Sequence, residues 1–456
     1  MTHVTPAETQ SGFKSLGVAP LLLKILDEQK LTIPSPIQAK AIPLALEGKD
    51  VIGIAQTGTG KTFSFGLPMI QRLAMHKGMG LVVVPTRELA LQVEQALLQV
   101  GKAIGLRTAV LVGGAPMGKQ IQTIKANPHI IVATPGRLND HLQQRTVNLS
   151  SVSILVLDEA DHMLDMGFEP QIRAILQHVP KERQTMLFSA TMPPKIRAIA
   201  TNYMKSPVSV EAAPQGTSAE KVHHELYFVK KEDKARLLER VLGDHAGSVL
   251  VFSRTKHGAK KLSRHVSSMG HTSANIQGNL SLPQRKAALE GFKTGKHRVL
   301  VATDIAARGI DVNDIALVVN YDLPDNPEDY VHRIGRTARA GKSGKAISFA
   351  EHNQRYDVKT IERLIRKNLP ESSLPELPPA RIVANALPDR DERPRGFFPS
   401  RNGYTAGRAG PRRGGNSYGQ SSSPRRGPNS YSQSGPRRHD PRRATHGATS
   451  QRGRSY

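Results

Sequence analysis

The sequence predicts an α/β protein with two tandem domains built on parallel sheets, followed by a disordered basic tail. Two blocks of the chain alternate short apolar strands with helix-like stretches. This alternation is typical of parallel sheets that are covered by helices on both faces. After about Pro370, Pro and polar residues replace the periodic pattern, and such a segment cannot bury a core.

The apolar runs define the strands of each domain. In the first block they lie at 51–54, 81–84, 108–112, 129–132, 154–157 and 185–188. In the second block they lie at 225–229, 248–252, 272–276, 298–301, 315–320 and 345–349. A segment rich in Gly, Pro and Ser separates the blocks. We therefore predict a first domain at 1–207, a linker at 208–220, a second domain at 221–370 and the tail at 371–456.

Composition excludes several classes of protein. The 456 residues suffice for two or three domains with a sizeable core. The chain has no Cys, which excludes disulfide frameworks, zinc–thiolate sites and a cysteine nucleophile. The first ten residues lack an apolar targeting core, and no apolar run approaches the length of a membrane span. We therefore expect a cytoplasmic protein with no membrane partner.

The charge distribution predicts a polyanionic partner. The formal net charge is +26, and residues 391–456 contain 14 Arg, no Lys and three acids. Pro-Arg-Arg occurs four times in this tail. Its Arg residues are suited to phosphates and its Tyr residues to stacking on bases. These tyrosines are Tyr404, Tyr418, Tyr431 and Tyr456. The alternative is a tail that only confers solubility.

A Gly-rich segment after the first strand predicts a phosphate-binding loop. Its glycines let backbone N–H groups approach phosphate oxygens, and a helix starting near Lys61 directs its positive end at them. Lys61 is expected to reach the β and γ phosphates, and Thr62 to bind Mg²⁺. The segment is Ala55, Gln56, Thr57, Gly58, Thr59, Gly60, Lys61 and Thr62. Ala55 departs from the usual Gly, and the alternative is a chance Gly-rich turn.

Two acids follow the apolar strand at 153–157. Asp158 and Glu159 are placed at the carboxyl edge of a parallel sheet, where α/β proteins bind ligands. Asp158 is expected to hold Mg²⁺ through water, and Glu159 to position the attacking water. The alternative is an ordinary acidic helix N-terminus. Together with Lys61, the two acids predict binding and hydrolysis of a nucleoside triphosphate.

The ordered set of motifs between Phe13 and Phe349 resembles the DEAD-box ATP-dependent RNA helicases, most closely the bacterial RhlE-type group. The set includes the loop at 55–62, Asp-Glu-Ala-Asp at 158–161, Ser-Ala-Thr at 189–191, and the segments 302–311 and 332–339. The resemblance implies two RecA-like domains and an RNA-dependent ATPase and helicase that uses ATP and Mg²⁺. It also implies a monomer that binds RNA through its backbone, with ribosomal precursors or RNA-decay proteins as further partners.

The resemblance also assigns residues to ATP. Gln38 would read the adenine edge, Phe13 would stack on the base, and Asp311 would face the ribose. Lys30 and Leu31 stand where the family has Gly and an aromatic residue. Without the resemblance, Phe13 would be interpreted as an ordinary core anchor. Arg336 and Arg339 would be arginine fingers in catalysis. The residues coupling hydrolysis to strand separation would be Asp161, Ser189, Thr191 and His332.

The RNA-contacting residues implied by the resemblance lie in both domains. They are Thr86, Arg87, Gly113, Gly114, Thr134, Arg137, Arg254, Gly278 and Thr303. Four further positions depart from the family pattern. Gln277-Gly278-Asn279 replaces His-Gly-Asp, Leu282 replaces Gln although Arg285 is kept, and Ala338 replaces Gly.

Two rival functions remain open from the sequence. The first is a non-enzymatic RNA-binding or annealing protein dominated by the tail, which intact Lys61, Glu159, Arg336 and Arg339 disfavour. The second is an ATP-driven DNA translocase with the same two-domain core. Gln38 and the acidic motif at 158–161 favour the RNA branch.

Overall fold

The computed structural model describes residues 12–56, 59–212, 222–307, 312, 315–337 and 344–379. Two parallel sheets form two α/β domains, which confirms the predicted fold class. The tail predicted from 371 onward lies outside the described residues from 380.

The first domain contains a seven-stranded sheet in the order β3-β4-β2-β5-β6-β1-β7. Its strands are β1 (Val51–Ile54), β2 (Met79–Val83), β3 (Thr108–Leu111), β4 (Ile130–Ala133), β5 (Val152–Leu157), β6 (Gln184–Ser189) and β7 (Val208–Glu211). Its helices are α1 (Pro20–Glu28), α2 (Pro36–Leu46), α3 (Lys61–Met75), α4 (Arg87–Gly101), α5 (Met117–Lys125), α6 (Pro135–Gln143), α7 (Ala160–Asp165), α8 (Glu169–His178) and α9 (Pro194–Tyr203).

The second domain contains a six-stranded sheet in the order β10-β11-β9-β12-β13-β8. Its strands are β8 (Val222–Phe228), β9 (Val249–Phe252), β10 (Ser273–Ile276), β11 (Val299–Ala302), β12 (Leu317–Asn320) and β13 (Gly344–Ala350). Its helices are α10 (Lys234–Asp244), α11 (Lys256–Ser268), α12 (Leu282–Lys293), α13 (Asp304–Ala307), α14 (Pro327–Ile334) and α15 (Arg355–Ile365).

Each sheet is buried on both faces, as continuous apolar strands require. In β2, Val82 belongs to one core cluster of the first domain, whereas Leu81 and Val83 belong to the other. Close packing fixes β1 against β6, because a Cβ on Gly53 would lie 2.4 Å from the Phe188 ring. The start of α3 at Lys61 confirms the predicted helix boundary.

The structure describes regular contacts just beyond two of the predicted domain boundaries. The linker predicted from 208 begins with β7, which pairs parallel with β1 at the sheet edge. Its side chains alternate between half-buried and exposed, so the sequence lacks the apolar run of a central strand. Residues 371–379 also pack on the second domain, where the Ser372 amide donates to the Leu226 carbonyl and Arg236 donates to Pro378.

The topology gathers the predicted site residues at the carboxyl edges of the two sheets. Residues 55–62, 158–161 and 189–191 follow β1, β5 and β6, which are neighbours in the first sheet. Ser253, Gln277 and Thr303 follow β9, β10 and β11 in the second sheet. Within the described ranges, we find no helix with the length and apolar character needed to cross a membrane.

Candidate functional site

The loop between β1 and α3 leads directly to a buried cation. Lys61 is only 6% exposed, and its ammonium group makes no hydrogen bond within the part of the chain that the structure describes. Gly60 adopts φ 88° at the start of α3, and its carbonyl accepts a hydrogen bond from Gln38 Nε2 at 3.0 Å. A buried unpaired ammonium is costly, so this loop is suited to an anion. Thr57 and Gly58 lie outside the described residues.

The donors and the backbone around this loop fit a bound phosphate group. Thr59 Oγ1 donates to the Gln56 carbonyl at 2.7 Å, which closes the described part of the loop. The first amides of α3 follow directly at Lys61 and Thr62, where the helix dipole favours negative charge. The sequence prediction that residues 55–62 form a phosphate cradle is consistent with this geometry.

Asp158 lies at the end of β5 and is 2% exposed. Burial raises the pKa of this carboxyl group to about 6, and the charge of Lys61 opposes the shift. Its Oδ1 accepts a hydrogen bond from the Glu159 amide at 2.9 Å. This bond does not involve the other carboxylate oxygen, Oδ2. Asp158 is therefore an acid whose ionised form needs a nearby cation.

Glu159 is 6% exposed and has a backbone φ of 51°, a left-handed conformation that is rare for a non-glycine residue. Its Oε2 lies 3.0 Å from His162 Nδ1. Burial alone would raise the pKa of Glu159, but His162, Lys61 and Arg336 lower it to about 2. Sequence reasoning missed His162, although its position three residues after Glu159 on α7 places it on the same side of the helix.

The predicted coupling residues meet around Asp161. Its Oδ2 accepts hydrogen bonds from the Ala190 and Thr191 amides, both at 2.9 Å, and from Thr191 Oγ1 at 3.1 Å. Its own amide donates to Ser189 Oγ at 3.2 Å. Burial opposes ionisation, but the positive charges of His332 and Lys61 hold the pKa of Asp161 below its ordinary value. His332 comes from the second domain, so the cluster joins both domains.

Arg336 brings a second cation from the second domain to the acids. It is 4% exposed, its Nε donates to the His332 carbonyl at 3.3 Å, and its charge contributes to the low pKa of Glu159. The other predicted arginine finger, Arg339, and the predicted ribose contact, Asp311, lie outside the described residues.

Sequence reasoning also missed Arg333, which anchors the helix that carries His332. Its side chain is 2% exposed, and the guanidinium forms a fork with both oxygens of Asp304, at 2.5 and 2.7 Å. Its Nη1 donates to the Asn320 side chain at 3.1 Å and to the Asp322 carbonyl at 2.6 Å. The sequence offered two features that could have indicated this contact. Arg333 is an arginine at a buried position of a helix, and Asp304 follows a strand.

The predicted RNA residues of the first domain form one braced surface. Thr86 caps α4, and the Arg87 guanidinium lies so close to Gly114 that a Cβ there would be 2.4 Å from Nη1. Gly114 has φ 78°, so both conformation and space favour glycine. The side chain of Gln120, which the sequence did not single out, accepts from the Val112 amide and donates to the Val112 and Ala115 carbonyls.

Thr134 and Arg137 lie beside the same loop. Thr134 precedes α6 and is 8% exposed, with Oγ1 3.5 Å from the Leu111 carbonyl. Arg137 Nη1 donates to the Ala115 carbonyl at 3.0 Å. The structure thus brings the first-domain residues of the predicted RNA set together, on one edge of the sheet.

In the second domain, Arg254 is held by acids and a carbonyl after β12. Its amide donates to Asp322 Oδ2 at 3.1 Å, and its side chain lies 3.1 Å from Asp325 Oδ1. A Cβ on Gly278 would meet nothing within 4 Å, so its backbone is open to a ligand. Thr303 is 9% exposed at the end of β11.

The two residues assigned to the adenine base have different surroundings. Gln38 Oε1 accepts from the Ser35 amide at 2.8 Å, and each polar atom of the amide group retains capacity for a second bond. Phe13 is 5% exposed and belongs to the core of the first domain. This burial matches the alternative of a core anchor, so a stacking role would involve only the small exposed part of the ring.

A buried ion pair joins the two domains beside these surfaces. Arg285 Nη2 in α12 donates to Glu88 Oε2 in α4 at 2.8 Å, and Arg285 Nε lies 2.8 Å from Oε1. Both side chains are at least nine-tenths buried, and Leu282 packs against the first-domain core. The predicted site residues Glu159 and Asp161 also interact with charges of the second domain, so they lie at the boundary between the two domains, which we call the cleft.

Among the described residues, no cluster of three or more His, Asp and Glu side chains could hold a metal ion by itself. A magnesium ion bound together with a nucleotide needs no such cluster, since it is usually held by one or two carboxylates, waters and phosphates. Asp158 and the Thr62 hydroxyl provide that kind of donor set.

Two family profiles and a curated relative match this chain. A family profile described as DEAD/DEAH box helicase matches residues 35–199, and one described as helicase conserved C-terminal domain matches residues 233–341. A Bacillus cereus protein named DEAD-box ATP-dependent RNA helicase CshA is 42% identical over 383 residues, covering 82% of this chain and 73% of that protein.

Solved structures of similar proteins contain RNA and nucleotides. Dbp5 of S. cerevisiae, bound to RNA and ADP BeF3, is 33% identical with a TM-score of 0.72, over 80% of this chain and 95% of that chain. Mss116p, bound to single-stranded RNA and AMP-PNP, is 27% identical with a TM-score of 0.74, over 82% of each chain.

Proposed function

The chain belongs to the DEAD-box ATP-dependent RNA helicases, and we propose how its residues divide the work of this activity. The protein is an ATP-dependent RNA helicase, an enzyme that couples RNA-dependent ATP hydrolysis to local unwinding of RNA duplexes or remodelling of RNA–protein complexes. The observation that carries the residue assignment is the buried ammonium of Lys61, which has no hydrogen-bond partner among the described residues and interacts with the charges of Asp158 and Glu159.

In this proposal, the loop at 55–62 cradles the triphosphate, and Lys61 binds the β and γ phosphates. Asp158 and Thr62 hold Mg²⁺, which supplies charge neutralisation at the phosphates when it is bound. The raised pKa of Asp158 supports this role, because a buried carboxylate becomes stable when a cation is close to it.

Glu159 orients the attacking water in this proposal. Its pKa of about 2 would make it a weak proton acceptor in the absence of substrate. Lys61 and Arg336 contribute to that low pKa, and a bound triphosphate would compete for both cations. Substrate binding would therefore raise the basicity of Glu159 at the point where it is needed.

Arg336 and Arg339 act as arginine fingers that stabilise charge on the γ-phosphate when the domains close. Four residues couple this closure to hydrolysis, because their hydrogen bonds and charges connect the acids to both domains. They are Asp161, Ser189, Thr191 and His332. Gln38 reads adenine with the unused capacity of its amide, Phe13 packs under the base, and Asp311 binds the ribose.

RNA binding is supported by the RNA-bound relatives, and we assign it to the predicted residues at both sheet edges. Recognition of the sugar-phosphate backbone follows from their Thr hydroxyls, Gly backbone and Arg side chains. We further propose a monomer in the cytoplasm, with ribosomal precursors or RNA-decay proteins as partners. The CshA relative reported above gives no support to the RhlE-type subgroup, so we propose no subgroup.

ATP hydrolysis measured without nucleic acid, with RNA and with a DNA of the same sequence tests this function. We expect strong stimulation by RNA and weak stimulation by DNA, because the 2′-hydroxyls distinguish the two. Equal stimulation by both would favour a DNA translocase. No stimulation by either, with RNA binding retained, would favour a non-enzymatic RNA-binding protein.

Breaking the Glu88–Arg285 pair is expected to weaken domain closure. Arg285→Met leaves the Glu88 carboxylate buried without its partner, which costs about 3–5 kcal/mol in comparable buried pairs. We expect a higher KM for RNA in the ATPase assay, with partial recovery in the double variant Glu88→Gln/Arg285→Met. Arg236→Met is the control, since Arg236 pairs with Asp233 on the same helix end. Equal kinetics for Arg285→Met and this control would contradict a role in closure.

A further inference from the structure

A groove with a volume of about 490 Å³ lies on the second domain at the end of α15. It is lined by Lys359, Glu362, Arg363, Arg366, Lys367 and Asn368. Lys367 Nζ donates to the carbonyl of Val222, the first residue of β8, at 3.4 Å. The groove therefore lies near the amino end of this strand, whereas the residues assigned to RNA and ATP follow the carboxyl ends.

The groove has an excess of positive charge that no acid among the described residues neutralises by an ion pair. Its four cations are exposed, and none forms an ion pair within the described ranges of the chain. The single acid, Glu362, uses Oε1 to accept a hydrogen bond from the Leu369 amide at 2.8 Å. Crowded, unpaired cations around a concave surface favour binding of a polyanion.

An exposed aromatic ring extends the groove along the helix. Val358, Ile361 and Ile365 form the buried face of α15. Tyr356 lies three and seven residues before Lys359 and Arg363, a spacing that places all three on one side of the helix. Tyr356 is 74% exposed, so its ring is accessible to a base that lies beside the groove.

We propose that this groove, defined by Lys359, Arg363, Arg366 and Lys367 with Tyr356, is a second RNA-binding surface. It holds the sugar-phosphate backbone of RNA that flanks the segment bound in the cleft. Its cations contact successive phosphates, and Tyr356 stacks on a base exposed beside them. The proposal rests on RNA as the substrate of the cleft, and it adds a contact site that is separate from the ATPase machinery. Anchoring flanking RNA here would raise the local concentration of nearby duplex at the cleft.

The full-length triple variant Lys359→Gln/Arg363→Gln/Arg366→Asn tests this surface. Arg366 has φ 53°, and Asn tolerates this conformation better than most residues. The probes are an RNA hairpin with a single-stranded extension and an oligouridylate just long enough to fill the cleft. For the hairpin we expect about tenfold weaker binding and a salt dependence reduced by about 0.7 per lost phosphate contact. ATPase stimulation by the short oligouridylate should stay unchanged.

The matched control is Lys24→Gln/Lys77→Gln/Arg145→Asn, which removes the same charge from exposed positions of the first domain. Arg145 has φ 52°, so its replacement repeats the backbone test at Arg366. Tyr356→Ala should weaken hairpin binding without changing its salt dependence, because stacking releases no counterions.

Three results would overturn the proposal. One is hairpin affinity that is unchanged in the groove variant, as expected if the groove binds an acidic protein. Another is an equal loss in the groove variant and its control, which would indicate a general charge effect. The third is loss of oligouridylate stimulation in the groove variant alone, which would place the groove within the ATPase mechanism. Failure of the wild type to respond to oligouridylate would instead contradict the function of the cleft, while hairpin binding remains a separate measurement.

Discussion

Glu159→Gln is expected to lower RNA-stimulated ATP hydrolysis by about 10²–10⁴-fold, the range that a positioned acid or base contributes. The substitution keeps the shape of the side chain but removes the negative charge that orients the water. Glu159 is buried beside Asp158, and its Oε2 lies 3.0 Å from His162 Nδ1, a contact that fixes the position of the carboxylate. Single-turnover hydrolysis in the presence of saturating RNA would measure the effect on the chemical step.

Nucleotide binding should survive this substitution. Lys61 and the loop at 55–62 provide the phosphate contacts, and removal of a nearby negative charge favours the triphosphate. We therefore expect RNA to dissociate more slowly from the variant in the presence of ATP. The reason is that hydrolysis no longer reopens the closed domains. Glu182→Gln, at an exposed position, is the control. A variant that hydrolyses ATP at the wild-type rate would contradict the assignment of Glu159.

The backbone at Glu159 makes this prediction more specific. A φ of 51° costs about 1–3 kcal/mol for a non-glycine residue, and such strain persists where the surroundings determine the conformation. Glu159→Gly would relieve the strain and remove the charge. We expect it to be inactive and at least as stable as Glu159→Gln, which separates the contribution of Glu159 to catalysis from its cost to folding.

The two sheets could be predicted from the sequence because most of their strands contain an apolar run that is recognisable from the local sequence alone. All twelve predicted strands are present, the first with the predicted bounds and the other eleven with ends shifted by one to three residues. The thirteenth, β7, was missed because Val208–Glu211 is a half-exposed edge strand whose identity depends on its pairing with β1. The contacts of residues beyond 371 were missed for a similar reason, since the Pro378 carbonyl accepts a hydrogen bond from Arg236, 142 residues away in the sequence.

The site was predictable to the extent that its motifs are local. The phosphate loop and the acids each contain their chemistry within a few residues, and the topology places them together. His162, Gln120 and Arg333 were missed because their roles depend on contacts that only the fold creates. Arg333, for example, meets Asp304 across 29 residues of sequence. Gln120 braces a loop through three backbone atoms, which no spacing rule reveals.

Arg333 also gives the second prediction with a large effect. Its guanidinium binds both oxygens of Asp304, the side chain of Asn320 and the carbonyl of Asp322, and it lies 4.9 Å from the centre of the Phe252 ring. Arg333→Met would fill much of the volume but would leave these buried acceptors without a donor. Breaking a buried pair in this way costs about 3–5 kcal/mol. For a domain of this size, that corresponds to a fall in Tm of about 10 °C.

The same substitution should impair catalysis at temperatures where the domain remains folded. Arg333 fixes α14 between Asp304 and Asn320, and the adjacent His332 and the nearby Arg336 depend on this position to face Asp161 and Glu159. We therefore expect a lower kcat with little change in ATP binding. Arg333→Lys should not restore it, because an ammonium group cannot bind both carboxylate oxygens with the same planar fork.

Arg240→Met separates this effect from the general loss of an arginine in the second domain. Arg240 pairs with Asp244 at 2.8 Å, but its side chain is 50% exposed. Exposed pairs of this kind contribute about 0–1 kcal/mol, so we expect only a small change in Tm and none in kcat. Thermal unfolding and steady-state ATPase of both variants would make the comparison. Equal stability and activity of Arg333→Met and Arg240→Met would contradict a role for the buried Arg333–Asp304 pair. The position of α14 would then have to depend on the apolar contacts of Tyr330 and Ile334.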